Sequence, residues 1–382
     1  MTNSNPEAQA GQPEGGDTQQ FFSGQMTWLA PFPLPTGVPP HDYARAIGNM
    51  NDRYLDLGIV NPSVFSWQMV FWGPMIIMLL LVVVLPLLVF WGGFHFGTGI
   101  EDAAPAFWEV LDFGWKFGAF GALVGLFLAL LARVNAFRKL KTAIPVRFNR
   151  QRREVCFTSV EEFAGTVKVQ PTFVPWEEIE AWVIQSQGGS QYGVMRQYGM
   201  GVGCKDPETG EPLQVEFMVG GLPSALGNWE ALRAYMDFEI HDLHEIQDPF
   251  GFQKPGDPPH EGLHTFYNAR EKMRERRRAG EVSWIFPFLW YAYHVMTLWT
   301  LPNHLLEWEI RKRAELARKA LPESLRQWSE ALPQDQWAQP SERVERLSRR
   351  VRELQRAYPE TPAPEIFKQV YREEDGRQSC VG

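Results

Sequence analysis

The spacing of apolar and polar positions changes character several times along the chain. No charged side chain occurs between Leu57 and Ile100, and the run from Gly73 to Trp91 within that interval is apolar throughout. A run of this length predicts a helix that crosses a membrane rather than the core of a soluble domain. Trp72 and Trp91 bracket it 19 positions apart, about 28 Å as helix and close to the hydrocarbon thickness. Both indoles are therefore assigned to membrane interfaces, and Pro86 predicts a kink between them.

A second span is predicted from Trp115 to Ala132, because no charge lies between Lys116 and Arg133. Trp115 is placed with the interfacial indoles. Gly114, Gly118, Gly121, Gly125, Ala129 and Ala132 recur at spacings of three and four, which makes one smooth helix face that a neighbour can approach closely. The first span is the expected neighbour, giving a helical hairpin; a homodimer seam is the alternative. Eight basic residues and no acid lie from Arg133 to Arg153, Arg138, Lys139 and Lys141 among them, whereas Glu101, Asp102, Glu109 and Asp112 occupy the stretch between the spans. Basic flanks stay in the cytoplasm. Both termini are thus expected on the cytoplasmic side, with a short external loop and with Arg133, Arg138, Lys139 and Lys141 at the inner interface.

From Ile144 the period becomes two. Strands are predicted at 144–148, 154–157, 167–170 and 181–184, with a hairpin of 193–204 and 213–219 around Asp206-Pro-Glu-Thr-Gly210. A helix follows Pro223, with Leu222, Leu226, Trp229, Leu232 and Met236 on one face. Beyond it come a Pro-rich stretch, a basic helix from Phe266 to Arg278, and a third charge-free stretch from Val282 to Leu306 that contains Pro287 and Pro302. Its Trp and Tyr content and its basic flanks predict a segment lying at the inner interface rather than a third span. Val344, Leu347, Val351, Leu354 and Tyr358 step by three and four. They predict an amphipathic tail helix docked on the β domain, with a partner-binding helix as the alternative.

Composition adjusts this outline. The 382 residues carry a net charge of -8 and fifteen Trp. Residues 1–42 are rich in Gln, Gly, Pro, Ser and Thr and are expected to be a disordered lead in which Trp28 and Phe32 dock locally. Cys156, Cys204 and Cys380 have no metal spacing and form no disulfide framework. The expected division is a lead (1–42), a transmembrane hairpin (60–137), a β domain (143–245), a linker with basic helix and interfacial segment (246–306) and a helical tail (307–382).

Several strands closed by one helix is the order of a pleckstrin-homology-like domain. The segments Pro145-Val-Arg-Phe-Asn-Arg-Gln-Arg-Arg-Glu-Val155 and Val174-Pro-Trp-Glu-Glu-Ile-Glu-Ala-Trp182 resemble the core of an uncharacterised bacterial family of two-span membrane proteins. Some genes of that family sit among type VI secretion and toxin–immunity clusters. The resemblance implies an α+β membrane protein with a cytoplasmic β domain, a partner that is a toxin or secretion component, and no assigned active site.

One enzyme-like motif occurs, His260-Glu261-Gly262-Leu263-His264. On a helix it would present two imidazoles to zinc with Glu261 as general base. Pro258 and Pro259 directly before it and Gly262 within it argue for an ordinary helix start, so no metal or cofactor is expected and a zinc hydrolase stays as the alternative. His241 and His244 read as a surface helix end, and Gly199, Gly201 and Gly203 as strand glycines without phosphate-loop spacing. Arg147, Arg150, Arg152 and Arg153 offer a lipid-sensing reading. Because the basic runs lie next to the bilayer, lipid head groups rather than nucleic acid are their expected partner. The overall expectation is a non-enzymatic, membrane-anchored interaction protein.

Overall fold

The computed structural model describes residues 15–22, 24–30, 33–58, 62–97, 99–140, 144–163, 166–190 and 193–381. The chain divides into two compact units, one built from 1–60, 144–248 and 321–382, the other from 61–143 and 249–320.

The first unit contains two antiparallel five-stranded sheets. One holds β3 (Ile47–Met50), β4 (Tyr54–Leu57), β5 (Val146–Asn149), β6 (Glu154–Phe163) and β7 (Thr166–Pro175) as a meander in chain order. The other holds β8 (Glu180–Ser190), β9 (Gly193–Lys205) and β10 (Pro212–Val219), extended at the β8 edge by β2 (Gly24–Ala30) and then β1 (Thr18–Phe21). The chain changes sheets at Trp176-Glu-Glu178, a single 3-10 turn whose indole is fully buried against Trp229 of α4 (Leu222–Met236), with ring centroids 5.3 Å apart. The six strands from β5 to β10 and α4 lie where the alternation predicts them. The turn Asp206–Gly210 closes the β9–β10 hairpin, with Gly210 at φ 72 donating its N–H to Asp206 O.

Gly201 has a steric role in β9. It is paired with Trp182 across the β8–β9 ladder, and a Cβ built on it would fall 2.1 Å from that indole. The missing side chain is what lets the ring lie flat over the strand.

Several expectations are corrected. The lead of 1–42 is not disordered throughout. Its residues 18–21 and 24–30 are strands, Leu29 and Leu34 are fully buried, and Trp28 lies on Trp182 with centroids 5.5 Å apart. Composition alone missed this because the segment buries its few apolar residues against distant strands, a tertiary gain that local polarity does not register. Phe32 lies outside the described residues. The strands β3 and β4 add a second contribution from the N-terminal part of the chain.

The helix α4 is buried on all sides from Ala225 to Met236, not along one face. Glu230 and Arg233 are therefore inside the unit. Arg233 pairs with Glu230, Asp237 and Glu239, and Glu230 also accepts from the N–H and hydroxyl of Thr36. The covering elements are residues 33–57 and the C-terminal helices.

The tail does not form a domain of its own. Helix α8 (Glu323–Trp328), α9 (Glu342–Ala357) and α10 (Ala363–Val381) belong to the first unit. Val344, Leu347, Val351 and Leu354 of α9 are buried, the last three within the same core as the sheets, while Tyr358 is exposed beyond the helix end. Ser341 caps α9 by accepting from Val344 N–H at 3.2 Å.

The second unit is helical. Its helices are α1 (Val64–Leu79), α2 (Leu85–Phe96), α3 (Ile100–Leu140), α5 (Leu263–Arg278), α6 (Ile285–Met296) and α7 (Leu301–Ala320). The acidic residues assigned to a loop between spans, Glu101 to Asp112, are helical and form the first turns of α3. The apolar stretch 282–306 is broken between α6 and α7, where Leu298 and Trp299 take φ 61 and 58. With 12 residues, α6 measures about 18 Å, short of a hydrocarbon core of about 30 Å.

Candidate membrane anchor

Two helices of the second unit, Val64–Phe96 and Ile100–Arg138, are long and apolar enough to cross a membrane. The first is α1 and α2 joined without interruption by a π-helical turn at Leu80–Val84. In that turn Leu85 N–H reaches Leu80 O. Leu81 O would take its π-type bond from residue 86, which is proline and has no N–H to give. The displaced carbonyl is directed at Gly114 of α3, so that a Cβ on Gly114 would lie 2.0 Å from it. Glycine here lets the two backbones touch, with Cα–H groups facing the freed oxygen.

The rest of the small-residue stripe continues this contact. Gly118 meets Leu81 and Met78, Gly121 meets Ile77, and Gly125 meets Pro74. At the other end Gly93 of α2 lies against Ala103. The stripe is therefore the seam of an intramolecular hairpin, as its period predicts.

The same contacts fix the register of α3 against α1 and α2, and two assigned positions change. Trp115 follows Gly114 and so lies at the level of Leu81, midway between Trp72 and Trp91. These three indoles cannot all occupy the two ends of one span. Trp72 does not face outward: its ring meets Tyr293 of α6 edge-on at 5.6 Å. Trp91 and Trp115 are exposed. Arg138 is exposed near the end of α3; nothing is described of the Lys139 side chain, and Lys141 lies outside the described residues.

Arg133 does not point into open surroundings either. It belongs to a clasp in which three helices meet around the buried carboxylate of Glu309, whose side chain is 1% exposed. Trp67 Nε1 donates to Glu309 Oε2 at 2.7 Å, and Arg313 donates to Oε1 through Nε at 3.0 Å and Nη2 at 2.6 Å. The Arg133 guanidinium lies 4.4 Å over the Trp67 ring, donates to Ser66 Oγ at 2.8 Å and stands 3.3 Å from Glu309. One carboxylate thus ties α1, α3 and α7 together. The sequence flagged the bases but not Glu309; the available signal was an acid four residues before Arg313 on a helix directly after an apolar stretch.

The H-E-x-x-H residues fall at the same end of the hairpin in a different role. Helix α5 begins at Leu263, so His260 and Glu261 precede it. Glu261 Oε2 accepts the Val64 N–H at 2.6 Å and so caps α1, and Glu307 Oε1 accepts the Leu263 N–H at 2.8 Å and caps α5. The His260 and His264 rings meet edge to face at 5.9 Å. Among the described residues no group of three His, Cys, Asp or Glu side chains converges to hold a metal ion. The Glu261 carboxylate thus serves as a helix cap in this structure. His241 precedes, and His244 lies within, a single 3-10 turn capped by Asp242.

His294 of α6 is held among Trp290, Phe266 and Trp299, and burial lowers its pKa to about 4. The imidazole is neutral at pH 7 and serves as one ring of an aromatic cluster.

The arginines offered for lipid sensing serve the first unit internally. Arg147 makes a two-pronged pair with Asp56 at 2.6 and 2.9 Å and stacks on Tyr54 at 3.8 Å. Arg150 bonds Asp52 and lies against Tyr235 and Phe238. Arg153 pairs with Asp237 at 2.9 Å, and Arg152 donates to Trp328 O. Arg147, Arg150 and Arg153 are nearly completely buried, so a basic membrane-facing patch of these four does not exist. Burial also raises the thiols of Cys156 and Cys204 to about 12, which disfavours their thiolate forms at neutral pH. No protein-family model, curated protein or solved structure matches the chain.

Proposed function

We propose that the chain is an inner-membrane protein that acts by binding rather than by catalysis, with the hairpin of Val64–Phe96 and Ile100–Arg138 as its anchor. The observation that carries this reading is the hairpin's exterior. Only 6% of the most apolar window of either helix is buried, leaving Leu79, Leu87, Phe120, Leu123 and Phe127 among its outward residues. Apolar surface on that scale requires lipid or protein to cover it. The basic residues at the lower end of α3 favour a cytoplasmic position for both termini. The Trp- and Tyr-rich α6 suits the inner interface beside them.

The order of the meander β4–β7, the meander β8–β10 and the closing helix α4 supports a pleckstrin-homology-like reading of the β domain. A role as an immunity or accessory protein beside a secreted toxin rests on the sequence resemblance. Alkaline carbonate extraction tests the anchor: the full-length chain is expected to stay with the membrane pellet, and its release would end this reading. Protease added to spheroplasts is expected to leave a C-terminal tag intact, and cleavage of the tag would reverse the orientation. Deletion of the gene is expected to be lethal only where a neighbouring toxin gene is intact.

A further inference from the structure

Helix α6 turns its polar groups inward and its apolar groups outward. Tyr293 Oη donates to Gln68 Oε1 of α1 at 3.0 Å, and its ring meets Trp72 edge-on at 5.6 Å. His294 lies among Trp290, Trp299 and Phe266 of α5, and Tyr291 stacks on Trp299 with centroids 5.9 Å apart. The exposed residues of α6 are Ile285, Phe286, Phe288, Leu289 and Val295, all apolar. All but Phe286 share one face with Ala292, at spacings of three and four. A helix that faces water places its polar side outward. This stripe requires an apolar cover.

The contacts of Tyr293 set the level of that cover. Gln68 and Trp72 lie about 6 and 12 Å along α1 from its first residue, Val64. The helix Val64–Phe96 has 33 residues and is about 50 Å long, against a hydrocarbon core of about 30 Å. A core centred on it leaves about 10 Å among head groups at each end. On the anchor reading, on which this inference rests, Tyr293 thus sits where acyl chains meet head groups on the cytoplasmic side. Apolar helix faces bury about 5–10 Å at that boundary.

Uncompensated positive charge stands beside the stripe. The chain reverses after α5 at Gly280, with φ 73, and Glu281 N–H donates to Arg276 O at 3.0 Å. Arg276 Cζ lies 5.8 Å from the centre of the Phe286 ring, and its Nε is 3.3 Å from Glu281. The basic end of α5 is thus held on the first turn of α6, with Glu281 taken by Arg276. Arg277 and Arg278 are exposed and have no ion-pair partner among the described residues. Trp284, directly before α6, is 68% exposed.

We propose that the outward face of α6 and the basic end of α5 bind anionic phospholipid of the inner leaflet. The apolar stripe lies against acyl chains, Trp284 stands at head-group level, and Arg277 and Arg278 donate to the lipid phosphate. An anionic lipid fits better than a zwitterionic one, because no ammonium in its own head group balances the phosphate. A protein would have to bring an apolar face and an anionic group to the same level, whereas lipid supplies both around the whole hairpin.

The test uses the full-length chain. p-Benzoylphenylalanine placed at position 288 and irradiated in native membranes is expected to give a lipid adduct by mass. An adduct with a polypeptide alone would overturn the proposal. A second arm reconstitutes the chain in nanodiscs of equal parts phosphatidylglycerol and phosphatidylcholine and counts retained lipid by native mass spectrometry. Wild type is expected to retain phosphatidylglycerol about tenfold or more over phosphatidylcholine, since each arginine near an anionic surface contributes about fivefold. Arg277→Glu with Arg278→Glu is expected to bring the two lipids to near parity. Arg277→Gln with Arg278→Gln is expected to do the same, and it decides the matter if the reversal fails to fold. Parity in wild type, or an unchanged preference in the folded variants, would overturn the proposal. Soluble glycerol phosphate is expected to bind at least tenfold more weakly than the lipid, and equal binding would make this a free-phosphate site instead. Carbonate extraction separates the two readings. Release of wild type removes the anchor, whereas a retained chain without the lipid preference removes only this site.

Discussion

Replacing Glu309 by Gln removes one charge and almost no volume, and so isolates the electrostatic content of the clasp. The amide oxygen can still accept from Trp67 Nε1, which reaches Glu309 Oε2 at 2.7 Å. It cannot neutralise Arg133 and Arg313, whose side chains are each 20% exposed and whose shared carboxylate is 1% exposed. Removing one partner of a fully buried ion pair costs about 3–5 kcal/mol. The residual solvent access of the two guanidinium groups screens part of that, and about 2–3 kcal/mol is expected here. The loss should appear as detachment of α7 from α1 and α3. Pulse proteolysis of detergent-solubilised protein across a denaturant series reads it directly, because Arg311, Lys312, Arg313, Arg318 and Lys319 give trypsin many sites in α7. The opposite change sharpens the test. Arg133→Met, Glu309→Leu and Arg313→Leu together remove all three charges and should recover most of the loss, since apolar replacement of a whole buried network is often neutral. If Glu309→Gln cleaves at the same denaturant concentration as wild type, the clasp contributes nothing and the argument fails.

Four further outcomes follow from named contacts. Gly114→Ala would put a methyl 2.0 Å from Leu81 O, whereas Gly125→Ala meets nothing closer than Pro74 Cγ at 3.6 Å; the first should loosen the hairpin by about 2 kcal/mol or more, the second by less than about 0.5 kcal/mol, in SDS titration. Gly201→Ala collides with Trp182 and should lower the midpoint of thermal unfolding, while Gly188→Ala, with open space around it, should not. The thiols of Cys156 and Cys204, raised to about 12, should react with a maleimide at pH 7.5 at least roughly tenfold more slowly than after denaturation. For His294 the folded value of about 4 lies below the ordinary 6.5. The unfolded chain therefore takes up the proton first, so stability of the second unit should be complete above about pH 6.5 and fall toward pH 4. His294→Phe should flatten that slope in pH-dependent unfolding.

What the sequence made legible depended on whether structure was locally encoded. The strands β5 to β10 and α4 follow from alternation and turn residues within a few positions of each other. The strands β1 and β2 do not, because Thr18-Gln-Gln-Phe21 is a fully exposed edge and Trp28 is stabilised by Trp182, more than 150 positions away. The charges on α4 mark a solvent face by pattern, yet Glu230 and Arg233 lie inside because residues 33–57 and α9 close over them. In the hairpin the small-residue period identified the seam correctly. The π turn opposite Gly114 was not readable, since it needs both the missing N–H of Pro86 and the approach of α3. The level of Trp115 along the hairpin was not readable from the charge-free run, because it is set by the register of α3 against the π turn at Leu81. The four arginines from Arg147 to Arg153 look like a surface patch until Asp52, Asp56 and Asp237 are brought to them from two other segments.

The connectivity constrains how such a chain can be made. In the first sheet β4 and β5 are neighbours, with Leu57 and Val146 as Cα partners, yet the whole hairpin lies between them in sequence. The pairing of β4 must therefore wait until both apolar helices have been synthesised. The core of the first unit waits longer, because Leu347, Val351, Leu354, Ile366 and Phe367 belong to it. Both arms of the helical hairpin, by contrast, are complete by Leu140 and contact each other locally. Local contacts form before distant ones because their closure entropy is smaller. The hairpin is thus complete while the first unit still lacks its last helices. A chain ended at Ala320 should keep its hairpin but expose the surface that α9 and α10 cover. Full carbonate resistance combined with rapid proteolysis of residues 144–248 is the expected result. A stable 144–248 fragment in that truncation would show that the C-terminal helices are an addition to the first unit rather than part of its core.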